Sequence, residues 1–282
     1  MIPAQFDYHA PTTVDEAVTL LSQAGDDVKV LAGGQSLIPV LRLRMAAPDV
    51  LVDLGRVDEL SGVRDDGDAI VIGAMTSHHT VANDPLVAEN ARLITEAVRT
   101  VADPQVRHRG TFGGALVHAD PAGDLPATAV ALGAEFGISG SDGRRTVAAE
   151  DFFVDLFTTA VGEDEILTHV RVPKHAGWGA DYQKFTRVAQ QWSIVGVAAT
   201  VRMEGDTIAE ARVGLTNMGS TPIRARAVET AVAGSSVDGI DAAAASAAEG
   251  TNPPTDLNGD ADYRRHLASV LTARALRAAA GS

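Results

Sequence analysis

The sequence contains no cysteine. Disulfides are therefore impossible, and so is an iron–sulfur cluster ligated by this chain's own thiolates. Aromatic residues are scarce, at 4%, so aliphatic side chains and alanine must fill the interior. Positive charge also falls short: 23 Lys and Arg face 37 Asp and Glu, for a formal net charge of -14. That balance argues against nucleic acid or an anionic membrane surface as partner, since both demand clustered positive charge. No apolar run approaches the roughly 18 residues that a membrane-spanning helix needs. The opening Met1-Ile2-Pro3-Ala4-Gln5-Phe6-Asp7 carries neither a basic n-region nor an apolar h-region, so the expected compartment is the cytoplasm. H-E-x-x-H and G-x-S-x-G are missing, and no carboxylate pair has a spacing that marks hydrolysis. His78 and His79 are adjacent, so on a helix they point about 100° apart and make poor joint metal ligands. A solvated helix start is expected there, and neither a metal site nor a catalytic residue is assigned.

What the sequence does contain is paired glycine. Lys29-Val30-Leu31-Ala32-Gly33-Gly34-Gln35-Ser36-Leu37 reads as the end of a strand, a diglycine bend, an amide donor and a hydroxyl. Glycine permits positive φ and close backbone approach, and successive N–H groups there can converge on an anion. One such stretch alone is more simply a plain turn. A second copy favours the anion-binding reading: Arg109-Gly110-Thr111-Phe112-Gly113-Gly114-Ala115 again sets two glycines beside a hydroxyl residue. A pyrophosphate has two phosphates, and two glycine turns could grip it from both sides. Neither stretch matches G-x-G-x-x-G or G-x-x-x-x-G-K-[ST], so the Rossmann and P-loop fingerprints are absent.

A chain of 282 residues, 45% of them hydrophobic, suits two domains. Thr13-Val14-Asp15-Glu16 predicts a capped helix start, with Ala17, Val18, Leu20 and Leu21 as its apolar face and Gly25 as its end. Ser36 is placed to cap the next short helix, and Val50-Leu51-Val52-Asp53-Leu54 is a strand, which makes a β-α-β first lobe. A strand at Ile70–Gly73 and helices near Ser77–Ala82 and Leu86–Val101 follow, the second stopped by Asp103-Pro104. Gln105–Ala115 carries the second glycine turn, and Asp124–Leu132 is helical. Glu135–Ser139 and Arg145–Ala148 flank the turn at Gly140-Ser141-Asp142-Gly143, and Ile166–Val172 alternates as a strand. The domain boundary is expected within Pro173–Gly179. Beyond it lie three strands, Asp181–Val188, Ile194–Met203 and Ile208–Asn217. Helices near Ile223–Ala233, Gly239–Ala248 and Ala261–Ala279 complete the chain, their alanine-rich faces suited to covering a sheet or a partner.

Ala32-Gly33-Gly34-Gln35-Ser36 and Thr111-Phe112-Gly113-Gly114 resemble the two FAD-pyrophosphate motifs of the flavin subunits of molybdenum hydroxylases. These are the medium chains of aerobic carbon monoxide dehydrogenase and its xanthine-dehydrogenase-type relatives. The resemblance continues through Pro39–Arg44, Ile72-Gly73-Ala74-Met75-Thr76 and Ala102-Asp103-Pro104-Gln105-Val106-Arg107. It extends further through His118–Ala127 and Gly214-Leu215-Thr216-Asn217. It implies an α+β fold: a two-lobed FAD-binding domain of the PCMH/vanillyl-alcohol-oxidase type, then a small domain with a three-stranded antiparallel sheet and helices. The domains would be 1–176, with lobes of about 1–56 and 57–176, and 177–282.

The resemblance further implies cofactor contacts at Lys29 through Leu37, Val101, Gly110 through Gly114, Asp124, Leu167, Lys184 and Trp192. Asp124, a carboxylate, cannot favour a pyrophosphate and would meet a hydroxyl-bearing part of FAD; as a residue alone it equally suits a helix N-cap. Lys184 matches a lysine near the flavin ring, where a cation would stabilise the anionic reduced form; by itself it reads as a surface lysine on a strand. Trp192 falls where relatives have an aromatic near the isoalloxazine, or else at the edge of a core. Leu167 is an apolar flavin contact or simply a core strand residue. Three positions depart from the pattern: Gln35 stands where histidine also occurs, Phe112 where isoleucine or valine is usual, and Ala115 where asparagine is frequent. At the last, alanine lacks the side-chain amide with which asparagine would contact the cofactor.

The function implied is that of a flavin subunit. It would take electrons from [2Fe-2S] clusters in a small subunit, while a large subunit carrying molybdopterin oxidises the substrate. Two heterotrimers would pair, and an external acceptor (quinone, NAD⁺, oxygen or a carrier protein) would receive the electrons. Any contact with the inner membrane face would run through a partner. Carbon monoxide dehydrogenase is the expected parent enzyme, with an N-heterocycle or purine hydroxylase as the alternative. A stand-alone flavin oxidase or reductase, and a nucleotide-binding scaffold without redox activity, stay open.

Overall fold

A computed structural model describes residues 2–25 and 27–281; Met1, Asp26 and Ser282 lie outside the described residues. The first lobe is a parallel three-stranded sheet in the order Asp7–His9, Val50–Asp53, Val28–Leu31, crossed by the helix Val14–Ala24. Thr13 Oγ1 accepts from the Glu16 N–H at 3.1 Å, and the Glu16 carboxylate accepts from the Thr12 N–H at 2.8 Å, which satisfies two helix-start donors. Val14, Ala17 and Leu21 face inward, and Gly25 ends the helix at φ +73°. Ser36 does precede the short helix Leu37–Arg42, yet its hydroxyl makes no capping bond there.

The second lobe is an antiparallel five-stranded sheet in the order Val63–Asp65, Ala69–Gly73, Ile166–Pro173, Glu135–Gly140, Gly143–Ala148. Ile70, Ile72, Phe136, Ile138, Val170 and Val172 turn one sheet face into a core shared with the helical layer. Phe152 stacks on Phe136 at 3.8 Å and meets Phe153 edge-on, a small aromatic cluster in a chain with few such residues. Two local expectations give way in the helical layer. The helix expected over Leu86–Val101 is two, Pro85–Asn90 and Arg92–Arg99, broken at buried Ala91, which adopts φ -144°. The second glycine stretch is not a turn: Gly113 and Gly114 lie in the first turn of the helix Phe112–His118, which follows the helix Pro104–Arg109.

The remainder forms an antiparallel sheet of Gly179–Phe185, Val195–Glu204 and Thr207–Thr216, with a two-residue fourth strand, Ile223–Arg224, where a helix start was expected. Its helices are Arg226–Val232, Ile240–Ala244 and Ala261–Ala280. The last lies so close on the sheet that a Cβ at Gly179 would fall 1.6 Å from the Ala279 carbonyl oxygen. On the opposite side, the helix Asp124–Leu132 approaches until a Cβ at Gly214 would come within 2.2 Å of the Ala127 oxygen. Small residues at both contacts let backbone meet backbone, which is how a chain poor in aromatics packs tightly. Among the described residues, no helix is long and apolar enough to cross a membrane.

Candidate functional site

The two glycine stretches touch. A Cβ on Gly33 would lie 2.3 Å from the Arg109 carbonyl oxygen and 2.7 Å from the Gly110 Cα, while one on Gly114 would lie 3.3 Å from the Ala32 Cβ. Only Gly34 has positive φ, at +74°; Gly33, Gly113 and Gly114 are required by proximity, not by conformation. A strand end and a helix start from opposite lobes therefore form one floor.

That floor lies in a cleft of about 680 Å³. Lys29, Val30, Ala32, Gly33, Gly34, Gln35, Ser36 and Leu37 line one wall. Val101, Gly110, Thr111, Gly113 and Gly114 line the facing one, and Asp124, Leu167, Lys184 and Trp192 are also in the lining. Leu31 and Phe112 do not line the cleft. Phe112, 2% exposed, turns into the core of the second lobe, and the Leu31 side chain lies beside Gly34. Sequence reasoning missed His78, Val106, Glu165, Gln190 and Gln191, which also line it.

The two stretches differ in what they offer. In the second, Phe112 N–H donates to the Thr76 carbonyl, Gly113 N–H to the Ala74 carbonyl and Gly114 N–H to Thr111 Oγ1 at 3.2 Å. The first two join the helix to the residues just after the strand Ala69–Gly73, and the third is spent on the helix's own N-cap, Thr111. In the first, the N–H groups of Gly34, Gln35 and Ser36 and the Ser36 hydroxyl find no acceptor in the chain among the described residues. Consecutive unpaired donors at a bend fit an anionic oxygen; the second stretch supplies room.

Asp124 is buried at 5% exposure and is the first residue of its helix, with Gly123 at the cap position, so it caps nothing. Its Oδ1 accepts from Tyr182 Oη and Ser193 Oγ, each at 2.8 Å, and its Oδ2 from Lys184 Nζ at 2.7 Å. Lys184 also donates to the Thr100 carbonyl at 3.2 Å. It is thus no free surface cation but half of a buried pair. Burial, and then the Asp124 charge, push the Tyr182 phenol well above its ordinary value, so it donates at any physiological pH. The other acids lining the cleft are likewise occupied: Glu165 is paired with Arg145 at 2.6 Å, and Asp120 accepts from the Ala122 N–H at 2.9 Å. Pairing of Asp124 and Glu165 with cations reduces the repulsion that this cleft of an acidic chain offers an anionic ligand.

Trp192 is 52% exposed at the cleft and is no core residue. Leu167, 4% exposed, belongs to both core and cleft. The expected solvated histidine pair separates: His79 is exposed and stacks on His108 at 3.9 Å, whereas His78 is buried at 3% exposure. His78 Nδ1 has no hydrogen-bond partner, and burial, aided by the Arg107 charge, lowers its pKa to about 4. No group of three or more His, Asp or Glu suited to a metal occurs among the described residues.

Residues 4–175 match the FAD-binding domain of molybdopterin dehydrogenases, and residues 180–279 match the carbon monoxide dehydrogenase flavoprotein C-terminal domain. The chain belongs to the flavin-binding medium subunits of the molybdenum hydroxylases. Among these, it is 42% identical to the carbon monoxide dehydrogenase medium chain of Hydrogenophaga pseudoflava, over 99% of this chain and 98% of that one. The solved carbon monoxide dehydrogenase from the same organism superposes with a TM-score of 0.96 at 44% identity, covering 99% and 98% of the two chains. The glyceraldehyde dehydrogenase medium chain of Sulfolobus acidocaldarius is 36% identical over 98% of this chain and 99% of its own. The chain is therefore an oxidoreductase subunit with the family's two-part fold, an FAD-binding domain followed by a C-terminal flavoprotein domain. Medium subunits this alike occur with different substrates, as the second name shows.

Proposed function

We propose that this chain is the FAD-carrying medium subunit of an aerobic carbon monoxide dehydrogenase, working beside an iron–sulfur small subunit and a molybdenum large subunit. The single observation that carries the cofactor's placement is the row of unpaired donors at Gly34, Gln35 and Ser36, set against a wall on which the N–H groups of Gly110, Gly113 and Gly114 are already bonded. Those donors would hold the diphosphate, with Gly33, Gly113 and Gly114 keeping the floor shallow enough for it. The ring end would lie toward Leu167, Lys184 and Trp192, against the C-terminal sheet. Bound FAD supplies the junction between one-electron donors and a two-electron acceptor. The chain's residues bind and orient it: Asp124, fixed by Tyr182, Ser193 and Lys184, locks the C-terminal sheet to the cofactor domain. The units proposed are 1–176, with lobes 1–56 and 57–176, and 177–282. The preference for carbon monoxide over an N-heterocycle rests on the 42% identity along the whole chain.

The proposed assembly pairs two heterotrimers and passes electrons to an external acceptor. It is placed in the cytoplasm, where reducing conditions preserve the cysteine ligands of a partner's clusters. Isolation of the intact complex tests the reading. Iron and molybdenum should be found with co-purifying chains, and carbon monoxide should bleach the flavin in the complex but not in this chain alone. Substrate turnover by the isolated chain would contradict it.

A further inference from the structure

A second cavity, of about 390 Å³, lies on the face of the five-stranded sheet turned away from the helical core. Its floor is a cross-strand row in which His169 pairs with Gly73 on one side and Gly137 on the other. The imidazole lies over Gly137, where a Cβ would fall 2.1 Å from the ring, while the space over Gly73 is taken by the Leu60 backbone, whose carbonyl oxygen would lie 2.3 Å from a Cβ there. The strand pairing shifts register between Leu167 and His169, a bulge of the kind that re-aims a side chain. The extra residue, Thr168, donates its hydroxyl proton to the Gly137 carbonyl at 2.9 Å, and its Oγ1 lies 2.9 Å from His169 Nδ1. That oxygen has given its proton away, so it accepts from Nδ1–H and leaves Nε2 for another partner.

Arg64 and Arg144 line the same cavity. Arg64 sits opposite Val71, two residues from Gly73, and Arg144 lies two residues from Thr146, which is opposite Gly137, so both flank the His169 row on its own face. Every other cation of this sheet and its end holds a carboxylate: Arg145 holds Glu165, Arg171 holds Asp66, Asp68 and Glu135, and Lys174 holds Asp65. Neither Arg64 nor Arg144 has an ion pair or hydrogen bond among the described residues, in a chain of net charge -14. Glu59, the acid in the lining, is turned to the Val14 N–H at 2.9 Å.

We propose that this cavity binds a small dianionic oxyanion of the sulfate or phosphate type, clamped by Arg64 and Arg144 with His169 Nε2 as a third donor. Guanidinium groups suit tetrahedral oxyanions because their N–H groups form a planar fork. Binding takes up a proton. Burial and the Arg64 and Arg144 charges, opposed by Asp66, hold His169 below its usual pKa in the free chain. A dianion held directly on Nε2 favours the charged ring, so affinity rises as pH falls through the imidazole range, around 6.5 and below. Arg64, Arg144 and His169 all lie outside the lining of the cofactor cleft.

Equilibrium dialysis of radiolabelled sulfate against the FAD-loaded chain tests it, with chloride holding ionic strength constant. FAD occupancy blocks the diphosphate donors, and sulfate does not titrate in this range. Saturable binding of one sulfate per chain is expected, tighter at pH 6 than at pH 8. Arg64→Gln and Arg144→Gln should each weaken it at least tenfold, and His169→Gln should abolish its pH dependence. Both arginines are exposed, so these variants should keep the parent's flavin content and its melting temperature in chloride. Unsaturable uptake, or unchanged binding in the double arginine variant, overturns the proposal.

Discussion

Lys184 Nζ lies 2.7 Å from Asp124 Oδ2, joining the C-terminal sheet to the helix that begins beside the cofactor cleft. Both side chains are nearly sequestered, at 11% and 3% exposure, so neither charge can be left alone cheaply. Lys184→Met should destabilise the chain by about 3 kcal/mol, because Asp124 then stays buried without its cation. Adding Asp124→Leu should recover part of that loss. Urea unfolding of the parent, both single variants and the double variant would show it as a positive coupling.

Gly33→Ala should be far more damaging than Gly34→Ala. At Gly33 the added Cβ meets only backbone: the Arg109 oxygen at 2.3 Å, the Gly110 Cα at 2.7 Å and the Thr111 nitrogen at 2.9 Å. At Gly34 it meets the flexible end of Ile38 at 2.6 Å, and the φ of +74° adds strain of about 1 kcal/mol. FAD affinity should fall about 100-fold or more for Gly33→Ala, equivalent to about 2.7 kcal/mol. Equal losses in the two variants, read by flavin fluorescence titration, would contradict this.

Ser36→Ala separates binding from folding. The hydroxyl makes no capping bond, so the flavin-free chain should unfold at the parent's urea midpoint. Its FAD Kd should rise roughly fivefold, matching the loss of one hydrogen bond of about 1 kcal/mol.

His78 gives a pH signature. With a native pKa of about 4 it stays neutral while an unfolded chain, near 6.5, takes up a proton. The stability it contributes is present above pH 6.5 and is lost as pH falls toward 4. Between pH 7.5 and pH 5 the parent should lose about 2 kcal/mol more than His78→Gln does. Parallel urea titrations at the two pH values check this.

Much of the frame was legible because its signals are local. Strand alternation from residue 166 onward, the capped start at Thr13 and the diglycine bend after Leu31 each depend on a few adjacent residues. What stayed hidden depends on residues far apart in the chain. The Gly113 donor is spent only because the Ala74 carbonyl reaches it, and Phe112 turns inward in the same helix start. His78 is buried where its N–H meets the Gly110 carbonyl, a contact across some thirty residues that no local hydropathy marks. Asp124 gains its partners from residues 182, 184 and 193, so neither helix capping nor a cofactor contact alone described its role. Ala91 breaks a helix without proline or glycine to announce it.

The flavin content of the isolated chain, saturated with FAD and then gel-filtered, tests the central claim most directly. A yellow protein with one FAD per chain is expected, its colour lost in Gly33→Val and weakened in Ser36→Ala. A colourless parent chain, or Gly33→Val retaining its full flavin, would contradict the account.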